Sequence, residues 1–392
     1  MTAQEYQAPA SVGRLQTRAL VVGVIGLIGC AIGFFLQPEK FLQSYLMAYL
    51  FVLGITLGSL GLVMLQHLTG GHWGIVIRRP AESAMRTLPL LVVFFLPIVF
   101  GMKYLYGVWL HPSDEHALSS FQVHYLTATG FVLRAILYFV IWGLLVFALT
   151  RWSRRQDVDQ HDRLLRRHLK LISGPGIILY VAGFTFAVID WVMSLTPHWF
   201  STIYGFIYVA GQVISALSLM IAILVLLART TPMQGLIQKR HIHDISKLLL
   251  AFLMVWAYFA FSQLLIIWSG NQPDEITFYR SRLYGGWGYV AVIILVLHFF
   301  VPFFLLLSRD LKRNYRQITI VAVWLIFMRV VDLFWMTRPE FTSVAWPSIW
   351  DFATVLGLGG LWLAFFANRL RQQPLLPLGE PKLAEAVGNN EH

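Results

Sequence analysis

The chain has 392 residues, of which 57% are hydrophobic and only 12% are charged, and its formal net charge is +11. Soluble domains contain about 25% charged residues, so this chain has too little polar surface to cover a soluble globule. Its apolar runs have the length of a membrane-crossing helix, about 20 residues, whereas a membrane β-barrel has short alternating segments. The composition therefore predicts an all-α integral membrane protein.

Ten apolar segments of spanning length follow one another along the chain. The predicted spans are 19–36, 43–68, 87–102, 121–150, 170–194, 201–227, 246–268, 285–308, 316–336 and 348–368. Lys and Arg alternate between the connecting segments: 23 lie on one side of these spans, 5 on the other and 2 within them. The positive-inside rule then predicts that both termini are cytoplasmic, in a multi-pass protein of the bacterial inner membrane. The positive charge is explained by loops near anionic lipid, so we expect no nucleic-acid partner.

Small residues recur at corresponding positions of the second and sixth predicted spans. The pairs are Gly54 and Gly211, Gly58 and Ser215, Gly61 and Ser218, and Leu62 and Leu219. Small residues four apart let helix backbones approach closely in lipid, although they also recur in membrane helices without any duplication. The pattern favours two parallel four-helix bundles, spans 2–5 and spans 6–9, with spans 1 and 10 peripheral.

The predicted organisation has five parts. They are 1–42 with span 1, 43–194 as the first bundle, 195–336 as the second bundle, 337–372 with span 10, and 373–392 as a cytoplasmic tail. Three prolines in the tail indicate a segment that is mobile or bound to a partner.

Ionisable and polar residues inside the predicted spans are costly in lipid and are therefore candidates for function. By depth they form three layers, which together predict a proton pathway. The outer layer holds His124, Asp190, His198, Asp332 and Asp351, the middle layer Arg134, Gln212, His298 and Arg329, and the cytoplasmic layer His67, Asp244 and Lys247.

Structural explanations compete with the functional one for several of these residues. Arg329 and Asp332 are three residues apart on one helix, so simple pairing explains them equally well. Asp244 and Asp351 begin helices, where the helix dipole favours a carboxylate. His298 is the only deep histidine, and a single buried histidine is more often structural than a ligand. It has no second histidine for bis-His haem binding.

The sequence predicts no covalently bound cofactor, no metal site and no catalytic residue within the chain. Cys30 is the only cysteine, which excludes a Cys-ligated iron–sulfur cluster, and no C-x-x-C-H motif for c-type haem occurs. Phosphate-binding loops and hydrolase motifs are also missing from the sequence.

Aromatic residues cluster around the predicted loop between spans 5 and 6. They are Trp191, Trp199, Phe200, Tyr204 and Tyr208. They could form a flat slot for a quinone ring, but spacing alone favours an ordinary interfacial aromatic belt.

Two sequence segments carry a resemblance to a known family. The sixteen residues 190–205, DWVMSLTPHWFSTIYG, resemble a hallmark of the NrfD-like membrane subunits of alternative complex III, a quinol:cytochrome c oxidoreductase. The segment 65–74, LQHLTGGHWG, followed by Arg78-Arg79-Pro80, is similar to the same family. Length, span number and duplication also match, and the resemblance is closest to the ActF type.

The resemblance implies a subunit that is not an enzyme alone. Its partners would be a paralogous ActC-like subunit, an iron–sulfur ActB-like subunit and multihaem c-type cytochromes, with haem and iron–sulfur clusters only in those partners. Quinol, menaquinone or another quinone, would be oxidised on the periplasmic side, and cytochrome c or a copper protein would accept the electrons. Asp190 and His198 match the family motif, and the quinone-binding set would be completed by Trp191, Trp199 and Tyr204.

Two other classes of function remain open from the sequence. Duplicated bundles and midplane charges also fit a secondary transporter, but we find no pair of Gly/Pro-interrupted spans at corresponding positions of the halves. A purely structural anchor for peripheral subunits is the third possibility. It predicts that neutral substitutions inside the spans leave turnover and proton coupling intact.

Overall fold

The computed structural model describes residues 5–112, 118–158 and 163–388. Within these ranges ten helices are long and apolar enough to cross a membrane, as the sequence predicts. Span 1 is Ala10–Leu36, span 2 Pro38–Thr69, span 3 His72–Phe100, span 4 Ala128–Val158, span 5 Leu164–Leu195, span 6 Tyr204–Ala228, span 7 Lys239–Gly270, span 8 Gly286–Leu307, span 9 Tyr315–Glu340 and span 10 Ile349–Arg371. Shorter helices connect them, among them Ser120–Tyr125 and Pro273–Leu283.

Several helices extend beyond the apolar segments that predicted them. Span 3 begins at His72 rather than at 87, because the polar first part packs inside the protein, where Arg79 and Glu82 are buried as an ion pair. Conversely, predicted span 4 began too early, since His124 lies on the separate helix Ser120–Tyr125. Hydropathy detects the apolar part of a helix. It misses helical turns whose charged residues are buried because they pair with each other.

Spans 2 and 6 form the centre of the molecule. Of their most apolar stretches, 94% and 83% of residues are buried, against 22% for span 7 and span 8. The two spans pack directly on each other, and Gly58 allows this approach because a Cβ there would collide with the backbone of Gln212. Spans 3 and 5 contact span 2, while spans 7 and 9 contact span 6, so two helical bundles meet along the central pair.

Spans 1 and 10 pack against each other at the periphery. Glycines form the contact: Gly23 and Gly26 face Gly357 and Gly360, and a Cβ at Gly26 would collide with the backbone of Gly357. Only 28% of the apolar stretch of span 1 is buried. Span 10 also contacts span 2, which attaches the pair to the first bundle.

The described segments near the two ends of the chain meet at one end of the bundle, which we call the basic end because it carries the arginine-rich connections. The amide of Leu375 donates a hydrogen bond to the carbonyl of Tyr6 at 2.8 Å. Glu380 pairs with Arg78 at 2.8 Å, and the amide of Gly379 donates to Asp157 at 3.2 Å. Residues 373–388 of the predicted tail therefore pack on the protein through backbone and carboxylate contacts, and the binding of a partner to the tail stays a prediction.

Span 8 contains a π-helical segment, Ile294–Phe300. Pro302 follows it and has no N–H to donate to the preceding turn, which disturbs the α-helical hydrogen bonds. The indole of Trp324 on span 9 compensates by donating to the carbonyl of Leu297 at 2.8 Å. Such π segments often occur at functional sites, and this one holds His298.

Candidate functional site

A buried ion pair joins spans 4 and 5, and we call it the inter-helix pair. Nε of Arg134 lies 2.9 Å from Oδ2 of Asp190, whose side chain is fully buried. The hydroxyl of Tyr138 donates to the same oxygen at 2.6 Å. Arg134 and Tyr138 are one helical turn apart, so both face span 5. The structure thus gives Asp190 one cationic and one neutral donor.

The inter-helix pair extends toward the end of the bundle opposite the basic end. Nη1 of Arg134 donates to the carbonyl of Tyr125 at 3.0 Å, and its guanidinium lies 3.9 Å from the centre of the Tyr125 ring. Burial, and then the negative charge of Asp190, raise the pKa of Tyr125 to about 12. The Arg134 side chain remains 21% exposed, so this group has an opening to the surface.

A second ion pair lies within span 9, and we call it the intra-helix pair. Arg329 binds Asp332 three residues later, and the two side chains are only 3% and 2% exposed. The guanidinium lies against Gly211 of span 6, where a Cβ would collide with it, and 5.6 Å from the centre of the Tyr208 ring. The pair is therefore enclosed between spans 6 and 9.

His298 on span 8 lies close to the intra-helix pair. Its ring makes an edge contact with Trp256 of span 7, with 4.6 Å between ring centres, and Arg329 is a charged neighbour. His298 is fully buried, and within the described parts of the chain neither ring nitrogen has a hydrogen-bond partner. A buried imidazole without partners is costly, which makes a structural role alone a poor explanation.

Gln212 lies between the two bundles. Its side-chain oxygen accepts a hydrogen bond from the hydroxyl of Tyr180 on span 5 at 2.6 Å, while its amide nitrogen has no partner among the described residues. Tyr180 in turn packs against Gly61 of span 2. Of the middle layer of candidates, Gln212 is thus the one that connects the first bundle to the second.

The three remaining candidates of the outer layer do not belong to either of the two ion pairs. His124 is exposed, and its Nδ1 donates to the carbonyl of Ser120 at 2.7 Å. His198 is exposed in the loop before span 6. Asp351 caps span 10, accepting from the amide of Ser348 at 2.7 Å, and lies 3.8 Å from Arg338. Asp351 thus lies in the first turn of span 10, where it completes a capping box with Ser348.

The cytoplasmic-layer candidates separate into two groups. Asp244 and Lys247 form an exposed pair at 3.3 Å on the first turns of span 7, so they lie at the protein surface, and their part in a proton pathway stays a prediction. His67 instead lines a cavity of about 410 Å³ at the basic end, together with Arg78 and Lys170. The candidates at this end are therefore an exposed ion pair and a histidine that lines a cavity.

The aromatic residues of the candidate quinone set are packed inside the protein. Trp191 packs among the rings of the first bundle, 4.8 Å from Phe95 between ring centres. Trp199 stacks on Phe278 at 4.0 Å and contacts Tyr204, both in the second bundle. These three side chains are buried, whereas His198 is exposed, and binding of a quinone by Asp190, His198, Trp191, Trp199 and Tyr204 stays a prediction.

Sequence reasoning missed several residues of these groups. Tyr138 could have been found, because it lies four residues after Arg134 and shares its face. Tyr180, Tyr208 and Trp256 gave no signal, since an aromatic residue in a span is usually ordinary packing. A further ion pair, between the buried Arg282 and the partly buried Glu340, ties the helix Pro273–Leu283 to the end of span 9; both residues lie outside the predicted spans.

The fold and the buried ion pairs define a multi-pass helical membrane protein with ionisable groups inside its spans. Among the residues that the structure describes, no three His, Cys, Asp or Glu side chains are grouped to hold a metal ion. The sequence matches no protein-family model, and no relative is found among curated proteins.

Proposed function

We propose that the chain is a membrane subunit of an alternative complex III in the bacterial inner membrane, where it supports quinol oxidation by transferring protons. The observation that carries this proposal is the pair of Arg–Asp contacts with buried carboxylates, one in each bundle, accompanied by His298, whose ring nitrogens have no hydrogen-bond partner among the described residues. The resemblance of residues 190–205 to the NrfD-like subunits supports the identity of the complex.

Asp190 has the position expected of a proton acceptor near the periplasmic surface. Its carboxylate is buried, yet Arg134 connects it to an exposed side of the protein. Oxidation of quinol by the partner subunits releases protons, and a positioned carboxylate can receive them. In this proposal the redox step, with menaquinone or another quinone, takes place in the partner subunits, and the burial of Trp191, Trp199 and Tyr204 among protein side chains supports that division.

The groups further inward would continue the transfer. Gln212 connects the bundles, and Asp332 with His298 provides titratable groups within the second bundle. Water molecules would have to bridge these groups, as they do in other buried polar networks. Relays of Asp, Glu and His inside spans are a recurrent solution for moving protons in membranes.

The test replaces each buried carboxylate by its neutral isostere in the intact complex. We expect Asp190→Asn and Asp332→Asn to lower proton translocation by about 10²-fold, the usual contribution of a positioned acid or base. Asp244→Asn is the matched control, because Asp244 is exposed and paired on the surface. Quinol oxidation and proton translocation are measured separately, and unchanged values for both buried variants would leave only the structural-anchor function.

The identity of the complex is tested by purification in mild detergent through a tag on this chain. Co-purification of c-type haem, an iron–sulfur protein and a paralogous membrane subunit is expected. A colourless protein that purifies alone would contradict the proposal and would favour a secondary transporter, which substrate-uptake assays would then address.

A further inference from the structure

A groove of about 820 Å³ runs between spans 3 and 4 at the basic end. Its walls include Val92, Phe139 and Phe147, and the side chain of Phe147 is 62% exposed on the outer surface of span 4. Around the end of the groove stand five arginines. They are Arg86, Arg151, Arg154, Arg155 and Arg369.

The groove follows one face of span 4. Phe139, Gly143, Phe147, Arg151 and Arg154 lie three or four residues apart, the spacing that places side chains on one side of a helix. At 1.5 Å per residue the stripe is about 22 Å long. It changes from apolar to cationic along its length, which matches a molecule with a hydrocarbon chain and an anionic head.

The arginines around the groove lack acidic partners. None of the five forms an ion pair with a carboxylate of the described residues, whereas Arg78 and Arg79 at the same end pair with Glu380 and Glu82. Arg86 also has Arg154 and Arg369 as like-charged neighbours. Clustered positive charge of this kind is stabilised when an anion binds between the guanidinium groups.

The floor of the groove is open. A Cβ built on Gly143 would meet no atom within 4 Å, so the space beside span 4 is not filled by protein. We propose that this groove binds an anionic phospholipid, with its phosphate among the arginines and an acyl chain along Phe139 and Phe147. Basic recesses between membrane helices recognise anionic lipid headgroups in this way. This inference does not depend on the proposed function.

Two variants test the headgroup and the chain separately. The first is a double variant that removes two of the cations, Arg151→Gln with Arg154→Gln. Its control is a double variant that removes two exposed arginines of the same end, Arg313→Gln with Arg316→Gln. Gly143→Leu fills the groove, and Gly359→Leu is its control, because a Cβ at Gly359 also meets no atom within 4 Å.

The purified protein is delipidated in mild detergent and titrated with phosphatidylglycerol, phosphatidylcholine or inorganic phosphate, and bound mass is followed by native mass spectrometry. We expect phosphatidylglycerol to bind at least about tenfold more tightly than phosphatidylcholine, since each nearby arginine favours anionic lipid. Both groove variants should weaken its binding at least about tenfold, because the arginine variant loses two headgroup contacts and Gly143→Leu fills the space for the acyl chain, while both controls bind as the unmodified protein does.

Three results would overturn the proposal. Equal binding of the two lipids would show that charge is not recognised. Binding of inorganic phosphate as tight as that of phosphatidylglycerol would indicate a free-anion site. Equal losses in groove variants and controls would indicate a nonspecific effect. If Gly143→Leu does not fold, the arginine variants decide the question alone.

Discussion

The inter-helix pair and the intra-helix pair use the same two residue types in different ways. Arg134 and Asp190 are 56 residues apart and belong to different spans, and Asp190 also accepts a hydrogen bond from the hydroxyl of Tyr138. Arg329 and Asp332 belong to one helix and are enclosed from all sides. The first pair holds two helices together and reaches the surface. The second pair is electrically neutral and lies inside the second bundle. Its ion pair does not connect two helices, because both residues belong to span 9.

This difference affects what each arginine contributes to stability. Breaking a buried pair is costly because it leaves one charge without compensation, and the cost is smaller where water or another donor can reach that charge. Asp190 keeps Tyr138 when Arg134 is removed, and water can enter beside Arg134. Asp332 has no comparable surface access.

The largest expected effect is that of Arg329→Gln. We expect the free energy of unfolding to fall by about 3–5 kcal/mol, the cost of breaking a buried pair, and Arg134→Gln to cost less for the reason given above. Chemical unfolding of the purified variants in detergent measures both. A larger loss for Arg134→Gln would reverse the comparison of the two pairs.

A double variant is the control for this prediction. Adding Asp332→Asn to Arg329→Gln removes the uncompensated carboxylate, so most of the lost stability should return. If the double variant is no more stable than Arg329→Gln, loss of packing rather than charge explains the effect.

Tyr138→Phe tests the neutral donor of the inter-helix pair. Removing the hydroxyl deletes a hydrogen bond to a buried carboxylate, and we expect a loss of about 1.5–3 kcal/mol in the free energy of unfolding. Tyr258→Phe is a control, because Tyr258 is 67% exposed. Equal unfolding transitions for Tyr138→Phe and the unmodified protein would mean that Arg134 alone satisfies Asp190.

Gly211→Ala tests the enclosure of the intra-helix pair. The new methyl group would displace the guanidinium of Arg329, which Asp332 holds in place, so we expect a loss of about 1–3 kcal/mol, as for other overpacked sites. Gly359→Ala introduces the same methyl group into open space and should change stability little. Similar results for the two alanine variants would show that Arg329 can move freely.

The spans and the intra-helix pair could be predicted from sequence because both depend on local patterns. Hydropathy marks each span, and three-residue spacing brings Arg329 to Asp332 on one helix. The partner of Arg134 could not be predicted, since nothing local connects residues on two spans. The packing of the aromatic residues could not be predicted for a similar reason: their spacing in sequence does not show that Trp191 contacts Phe95 or that Trp199 stacks on Phe278.

The glycine contact between spans 1 and 10 has a consequence for how the protein is made. Span 1 is synthesised before span 10, so it enters the membrane without its main neighbour while the spans between them are made. The apolar stretch of span 1 has a mean hydropathy of 2.6 and is only 28% buried, which suits a helix that must remain inserted alone. The close glycine packing with Gly357 and Gly360 can form only after span 10 has been made, which places this contact late in the assembly of the bundle.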